Sequence, residues 1–279
     1  VWIACVLTLC TTAMGADWVS LFNGKDFTGW VQRGGKAKYH VEDNMIVGTT
    51  VKGIPNAFLC TARDYSDFIL EIEYKVDPQM NSGIQIRSES RPDYIRGVVH
   101  GYQVEIDPSE RAWSGGIYDE SRRGWINNLV GNDPARQAFK QNEWNHYRIQ
   151  AIGDSIKTWV NGVPAADLRD TKTLEGFIAL QVHGPHKEDP MQIRWRNIRI
   201  QDLGNHSWKP LFDGKSLDGW HALSGGEWNV LDGTILGVSK KSEKRHGLLV
   251  TDRIFEDFTV RAQFKVTKGD SGFYFRVDE

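Results

Sequence analysis

The feature that most restricts the fold is a hydrophobic period of two. Along Phe68–Val76, the side chains of Phe68, Leu70, Ile72, Tyr74 and Val76 fall on one face, with Glu71, Glu73 and Lys75 on the other. This is the pattern of a strand with one buried side. Ile84–Arg87 continues it, and Val99–Ile106, Trp144–Ile152, Ile156–Val160, Ile178–Val182 and Met191–Ile200 repeat it. Gly153-Asp154 and Asn161-Gly162 supply turn signals between such runs. No segment keeps a helical period over three turns. The 28 Gly and 11 Trp suit short strands, tight turns and broad aromatic faces. The prediction is an all-β chain folded as an antiparallel sandwich.

The chain also repeats itself. Leu21-Phe22-Asn23-Gly24-Lys25 through Gly29-Trp30 returns as Leu211-Phe212-Asp213-Gly214-Lys215 through Gly219-Trp220, 190 residues on. His40–Asp43 returns as Asn229–Asp232, Leu59–Val76 as Leu249–Val266, and Asn81-Ser82-Gly83 as Asp270-Ser271-Gly272. A period this long means tandem domains, not a solenoid. The first copy is expected over residues 17–204, a linker over 205–207, and the N-terminal part of a second copy over 208–279. An incomplete sandwich leaves strand edges and an apolar face uncovered, so the second copy is expected to be poorly formed unless it packs on the first.

Residues 1–16 carry an apolar run from Val1 to Cys10 and then the small residues Ala13-Met14-Gly15-Ala16. They read as part of a secretory signal peptide without its basic start. Cys5 and Cys10 would leave with it, and Cys60 alone cannot form an internal disulfide. The expectation is a secreted or periplasmic protein without disulfide stapling. Lys and Arg number 34 against 36 Asp and Glu. That balance argues against a basic nucleic-acid binder and against attachment to a membrane surface beyond the signal peptide. No dinucleotide fingerprint, phosphate loop or zinc-protease motif occurs. His100, His146, His186 and His206 are scattered, and Lys240–Arg245 reads as a solvated loop.

Several short motifs then carry a resemblance. Besides the Leu-Phe-Asn-Gly-Lys opening they are Asn81-Ser82-Gly83-Ile84, Tyr102–Asp107, Gly115-Gly116-Ile117-Tyr118, Glu143-Trp144-Asn145, Val160-Asn161-Gly162, and Gln181-Val182-His183-Gly184 followed by Arg196-Asn197-Ile198. Together, in this order, they resemble the 3-keto-disaccharide hydrolase family of secreted bacterial proteins. The resemblance covers the first copy and what is present of the second. It implies a concanavalin A-like jelly roll of two curved antiparallel sheets, with sugar chemistry on the concave face and a 3-keto-glycoside as substrate.

Strand alternation nominates the site. Gln103, Glu105 and Asp107 share a face, with Val104 and Ile106 directed to the core. Gln85 and Arg87 stand opposite Ile84 and Ile86, and Gln181 and His183 flank Val182. These three strands are expected to line one wet, concave sheet. The reaction the resemblance implies starts from a C3 ketone that acidifies the C2 proton. A base removes that proton, the C1 substituent leaves with acid assistance, and water adds to the enone. Glu105 and His183 are the expected acid/base pair, in either direction. Arg87 or Gln103 would hold the enolate oxygen, and Asp107 would orient a partner or a sugar hydroxyl. Tyr118 and Trp125, on a Gly-rich insertion over 111–131, would stack on a sugar ring.

Two rival readings stand beside this one. Glu105 to Glu110 spells E-x-D-x-x-E, the signature of jelly-roll endoglucanases with Glu105 and Glu110 as the catalytic carboxylates. Pro108 opposes it, because proline interrupts the ladder that must carry Glu110. The fold also suits a non-catalytic, lectin-like module. No cofactor is called for. His183 and His186 have metal-ligand character but no second cluster accompanies them. A structural Ca²⁺ held by loop oxygens would leave no motif to read.

Overall fold

The alternating stretches become the strands of two antiparallel sheets. In the computed structural model, residues 16–184, 190–223 and 225–275 are described, apart from 240, 241, 243, 246, 256, 257, 259 and 261. The expected signal peptide, but for Ala16, lies outside the described residues, and so do His186, Lys240 and Lys241. Strands run in the order β1 (Trp18–Ser20), β2 (Trp30–Gly34), β3 (Lys38–Glu42), β4 (Met45–Thr49), β5 (Ala57–Thr61), β6 (Asp67–Val76), β7 (Ser82–Glu89) and β8 (His100–Ile106). They continue as β9 (Ile117–Glu120), β10 (Gly124–Asn127), β11 (Asn145–Ile152), β12 (Ser155–Val160), β13 (Val163–Arg169), β14 (Phe177–Val182) and β15 (Gln192–Gly204). One sheet has the order β13-β12-β11-β6-β15-β4-β3, with β1 also paired to β15. The other has the order β10-β9-β8-β7-β14-β5-β2. The architecture is all-β, a two-sheet jelly-roll sandwich.

The core lies between the sheets. Phe68, Leu70, Ile72 and Tyr74 of β6 meet Ile84 and Ile86 of β7, Val104 and Ile106 of β8, and Leu180 of β14, all fully buried. Each such side chain contributes about 1.5–3 kcal/mol by leaving water. Trp195 is buried with them and needs a glycine beside it. A Cβ at Gly48 would sit 2.5 Å from Val182 Cγ2 and 2.9 Å from Trp195 Cζ3.

The structure corrects the sequence reading at three places. Residues 111–131 are not a simple insertion loop: β9 and β10 form a hairpin that extends the second sheet, pairing Tyr118 with Trp125. Among the described residues there is one α-helix, α1 (Asp133–Ala138), capped by the Asn132 side chain accepting from Ala135 N; it is too short to show a helical period. Arg87 does not join the face of Gln85. The β7–β8 register shifts between Ile86 and Glu89, and Arg87 adopts φ 46° in that bulge. Its fully buried guanidinium donates to Ser66 O at 2.8 Å, Gly153 O at 2.5 Å and Asp67 Oδ1 at 3.1 Å. Asp67 opens β6, so Arg87 ties the two sheets together across one end of the sandwich.

The chain divides into two units, Val1–Ser207 and Trp208–Glu279. In the second, β16 (Trp220–Ala222) pairs with β19 (Leu249–Thr251), and β17 (Glu227–Leu231) pairs with β18 (Thr234–Val238). Trp220 faces Thr251 as Trp30 faces Thr61. Trp220 Nε1 donates to Leu211 O as Trp30 Nε1 donates to Leu21 O. No described residue of this unit is buried.

Candidate functional site

Three strands of the second sheet, β8, β7 and β14, lie side by side. Their core-facing residues fix which side chains point away from the sandwich interior. Register then sets two rows. Gln85 faces Gln103, Gln103 faces Tyr118, and Tyr118 faces Trp125. Gly83 faces Glu105, and the pairing of Leu180 with Ile84 brings Gln181 to the other side of Gly83.

A directed chain of hydrogen bonds runs through these rows. Ser88 Oγ donates to Gln85 Oε1 at 2.6 Å, Gln85 Nε2 to Gln103 Oε1 at 2.6 Å, and Gln103 Nε2 to Glu105 Oε2 at 2.8 Å. Asn81 Nδ2 donates to Glu105 Oε1 at 2.6 Å. Gly83 makes this geometry possible. A Cβ there would lie 2.5 Å from Gln103 Cδ, so the Gln103 amide crosses over the glycine to reach the carboxyl.

Glu105 is only 4% exposed. Burial pushes its pKa up to about 7, against the hydrogen bonds from Asn81 and Gln103; the nearby Asp107 adds to the rise and Arg111 opposes it. A carboxyl that titrates near neutrality can take up or release a proton at working pH. Asp107 behaves oppositely. Burial opposes its ionisation, but hydrogen bonds from Arg111 and Ser109 outweigh that and hold its pKa below the ordinary value.

Beyond β8 the chain folds back and supplies residues the sequence reading did not nominate. Arg111 Nε donates to Asp107 Oδ2 at 2.7 Å, and Arg111 Nη2 lies 3.7 Å from Glu105 Oε1. The guanidinium carbon sits 4.9 Å from the Trp113 ring centre and 5.1 Å from that of Trp125. Trp125 meets Trp113 edge-on at 4.8 Å and Tyr118 edge-on at 5.3 Å. Partly exposed, these three rings make an aromatic wall of the kind that stacks on sugar faces. The readable signal for Arg111 was its i,i+4 spacing from Asp107. Asn81 had a signal too, its place in a motif that returns as Asp270-Ser271-Gly272. Nothing in the sequence indicated that Trp113 would return to Trp125.

The remaining nominated residues divide. His183 follows β14 by one residue and is half-buried. The strand ends at Val182, so the alternation that places Gln181 on the Glu105 side stops one residue short of His183. Only β7 separates β14 from β8, so Gln181 stands two strand spacings, roughly 10 Å, from Glu105, and His183 lies two residues beyond that row. Asp107 lies just past the end of β8, linked to Glu105 through Arg111. Arg87 is absent from this face. The face is also drier than expected: Gln85 and Gln181 are fully buried and Gln103 is 2% exposed. Phe58, Cys60, Val99, Phe177 and Ala179 form a second apolar cluster. Among the described residues, neither amide atom of Gln181 has a hydrogen-bond partner. Glu110 does not continue the strand. β8 ends at Ile106, and Glu110 lies in an exposed turn after Pro108, whose carbonyl accepts from Gln141 Nε2. The strand that an E-x-D-x-x-E endoglucanase site requires is therefore not formed. Among the described residues no three His, Cys, Asp or Glu side chains gather as a metal site.

Solved structures with a similar fold include a candidate glycosyl hydrolase from Parabacteroides distasonis ATCC 8503, 22% identical, covering 71% of this chain and 99% of that one at a TM-score of 0.48. A carbohydrate binding module, CBM66, from Bacillus subtilis is 16% identical over 62% of this chain and 95% of its own, with a TM-score of 0.42. The Bacillus licheniformis beta-glucanase is 13% identical over 68% of this chain and 99% of its own, with a TM-score of 0.44. A search of curated proteins returns no match. Family matching pairs residues 17–201 and 207–279 with a domain described as 3-keto-alpha-glucoside-1,2-lyase-like. The chain therefore belongs to the 3-keto-disaccharide hydrolase family, and through it to the carbohydrate-active proteins.

Proposed function

We propose that the first unit cleaves 3-keto-glycosides by removing the C2 proton, expelling the C1 substituent and hydrating the resulting enone. Glu105 carries this reading. It is a buried carboxyl that titrates near pH 7, held on both oxygens by amide donors beside an aromatic wall. In this reading Glu105 is the base at C2 and His183 assists the departing C1 oxygen. Tyr118, Trp113 and Trp125 hold the sugar ring, and Gln181 offers its amide to a hydroxyl. A half-ionised carboxyl at neutral pH supplies both the base that starts the reaction and the acid that can return a proton in hydration.

The test uses 3-keto-trehalose in deuterated water. Release of glucose with deuterium at C2 of the 3-keto product is expected from the parent. Glu105→Gln should lower the rate by at least about a hundredfold, in the range of lost acid–base catalysis. Parental turnover in Glu105→Gln and in His183→Ala would remove the assignment. The aromatic wall also supports a second reading, a sugar-binding module without turnover; binding of the keto-sugar with no C2 exchange in the parent would favour it.

A further inference from the structure

An elimination through an enolate needs a group to receive charge on the C3 oxygen, and both groups nominated from sequence are committed elsewhere. Arg87 is buried across the sandwich, bonded to Ser66, Asp67 and Gly153. Gln103 donates to Glu105 and accepts from Gln85. One cation pairs with Glu105 among the described residues, and it is Arg111.

Arg111 has the geometry for the task. The C2 proton and the C3 carbonyl oxygen sit on adjacent carbons, so base and cation must stand close together. Arg111 Nη2 lies 3.7 Å from Glu105 Oε1. Its side chain is 41% exposed, so a substrate can reach it from solvent. Asp107 holds Nε at 2.7 Å, and the rings of Trp113 and Trp125 hold the guanidinium plane. Among the described residues, the Asp107 contact is the side-chain hydrogen bond Arg111 donates. A guanidinium carries five N–H donors, which leaves its terminal nitrogens for a ligand oxygen. Preorganised donors of this kind at a developing oxyanion are a principal source of rate enhancement.

We propose that Arg111 receives the negative charge that develops on the C3 oxygen of the substrate, a role that rests on the 3-keto-glycoside reading above. Glu105 carboxylate takes the C2 proton. The C2–H electron pair forms the C2=C3 bond, and the carbonyl pair moves onto the oxygen beside Arg111. Arg111 transfers no proton. The oxygen pair then restores C3=O, the C2=C3 pair shifts to C1=C2, and the C1–O bond breaks. Its electrons stay on the leaving oxygen, which takes a proton from the acid. Water then adds hydroxyl to C1 and a proton to C2. Asp107 is a positioning residue that holds Arg111 for this contact.

The test measures C2 deuterium exchange and leaving-group release separately, on full-length protein, for the parent, Arg111→Met and Arg111→Lys. Thermal melts report whether each variant is folded. Arg111→Met should lose C2 exchange by about 10²–10³-fold, chiefly in kcat, and its pH–rate limb should move upward because a cation beside Glu105 is gone. Arg111→Lys should fall between, since it keeps the charge but not the planar donor fork. Added guanidinium should restore part of the Arg111→Met rate. Parental exchange in Arg111→Met would overturn the proposal while leaving the 3-keto reading intact. Equal losses in both variants without rescue would show a packing role and overturn it too. Absence of exchange in the parent would remove the 3-keto reading and this role with it.

Discussion

Gly83→Ala is a one-carbon probe of the whole amide chain. The new Cβ would lie 2.5 Å from Gln103 Cδ, closer than carbon atoms tolerate, and the obstacle is the side chain that supplies Glu105 with a donor. Gln103 must swing away, which breaks its 2.8 Å bond to Glu105 Oε2 and strains its 2.6 Å bond from Gln85. A hydrogen bond to a charged group is worth about 1.5–3 kcal/mol, and overpacking adds about 1–3 kcal/mol. The melting temperature of a domain this size should fall by roughly 5–24 °C. The direction of the effect on Glu105 follows as well. Gln103 favours the ionised form, so its loss raises the pKa of Glu105 further, and the pH–rate limb governed by the base should move up by about one pH unit. The assays are differential scanning fluorimetry and a pH–rate profile on the 3-keto substrate. A variant that melts within two degrees or so of the parent with an unmoved limb would refute the claim that Gly83 exists to let Gln103 pass.

Other consequences are as direct. Glu105 has a folded pKa near 7, above its ordinary 4.5, so the folded state holds that proton more tightly than the unfolded chain. This group therefore stabilises the fold relative to high pH below about 4.5, and the advantage, about 3 kcal/mol, is lost as pH rises through 7. Urea unfolding across pH 4–8 should show the decline, and Glu105→Gln should flatten that component; an unchanged slope in the variant would refute it. Arg87→Met leaves Asp67 without its buried cation and should cost about 3–5 kcal/mol, while affinity for the sugar changes little if the fold is held at low temperature; chemical denaturation and calorimetric binding separate the two effects. Burial pushes the Cys60 thiol up to about 12, so thiol reagents should label it only after unfolding, as followed by absorbance.

How much of this could be read beforehand depended on what each residue's pattern encodes. Gln85, Gln103, Glu105 and Gln181 share one face because a strand with one buried side obeys parity, and their neighbours Ile84, Val104 and Leu180 leave no freedom. Arg87 obeyed the same parity on paper. One extra residue in the β7 bulge reverses it, and Ser88 takes over the position from which Gln85 is held. Bulges have no period, so none was visible. The β9–β10 hairpin was hidden for another reason. Asp119 is fully buried, yet it is satisfied by Arg122 and Arg123 from its own turn, and a buried acid between Tyr118 and Glu120 erases the apolar alternation that marks a strand.

Alternation separates the two sides of a sheet but says nothing of what lies beyond either of them. Here the far side is a second buried layer, partly apolar through Phe58, Cys60 and Phe177 and partly amide. Buried polar groups are tolerated when they satisfy one another, and Ser88, Gln85, Gln103, Asn81 and Glu105 do so in sequence. Gln181 breaks the rule: among the described residues neither of its buried amide atoms has a partner, at a cost of about 1–3 kcal/mol for each such group. Its neighbour across Gly83 is Glu105. The described residues thus leave a donor and an acceptor unsatisfied beside the carboxyl proposed to act on the sugar, which is where an arriving hydroxyl would recover that cost.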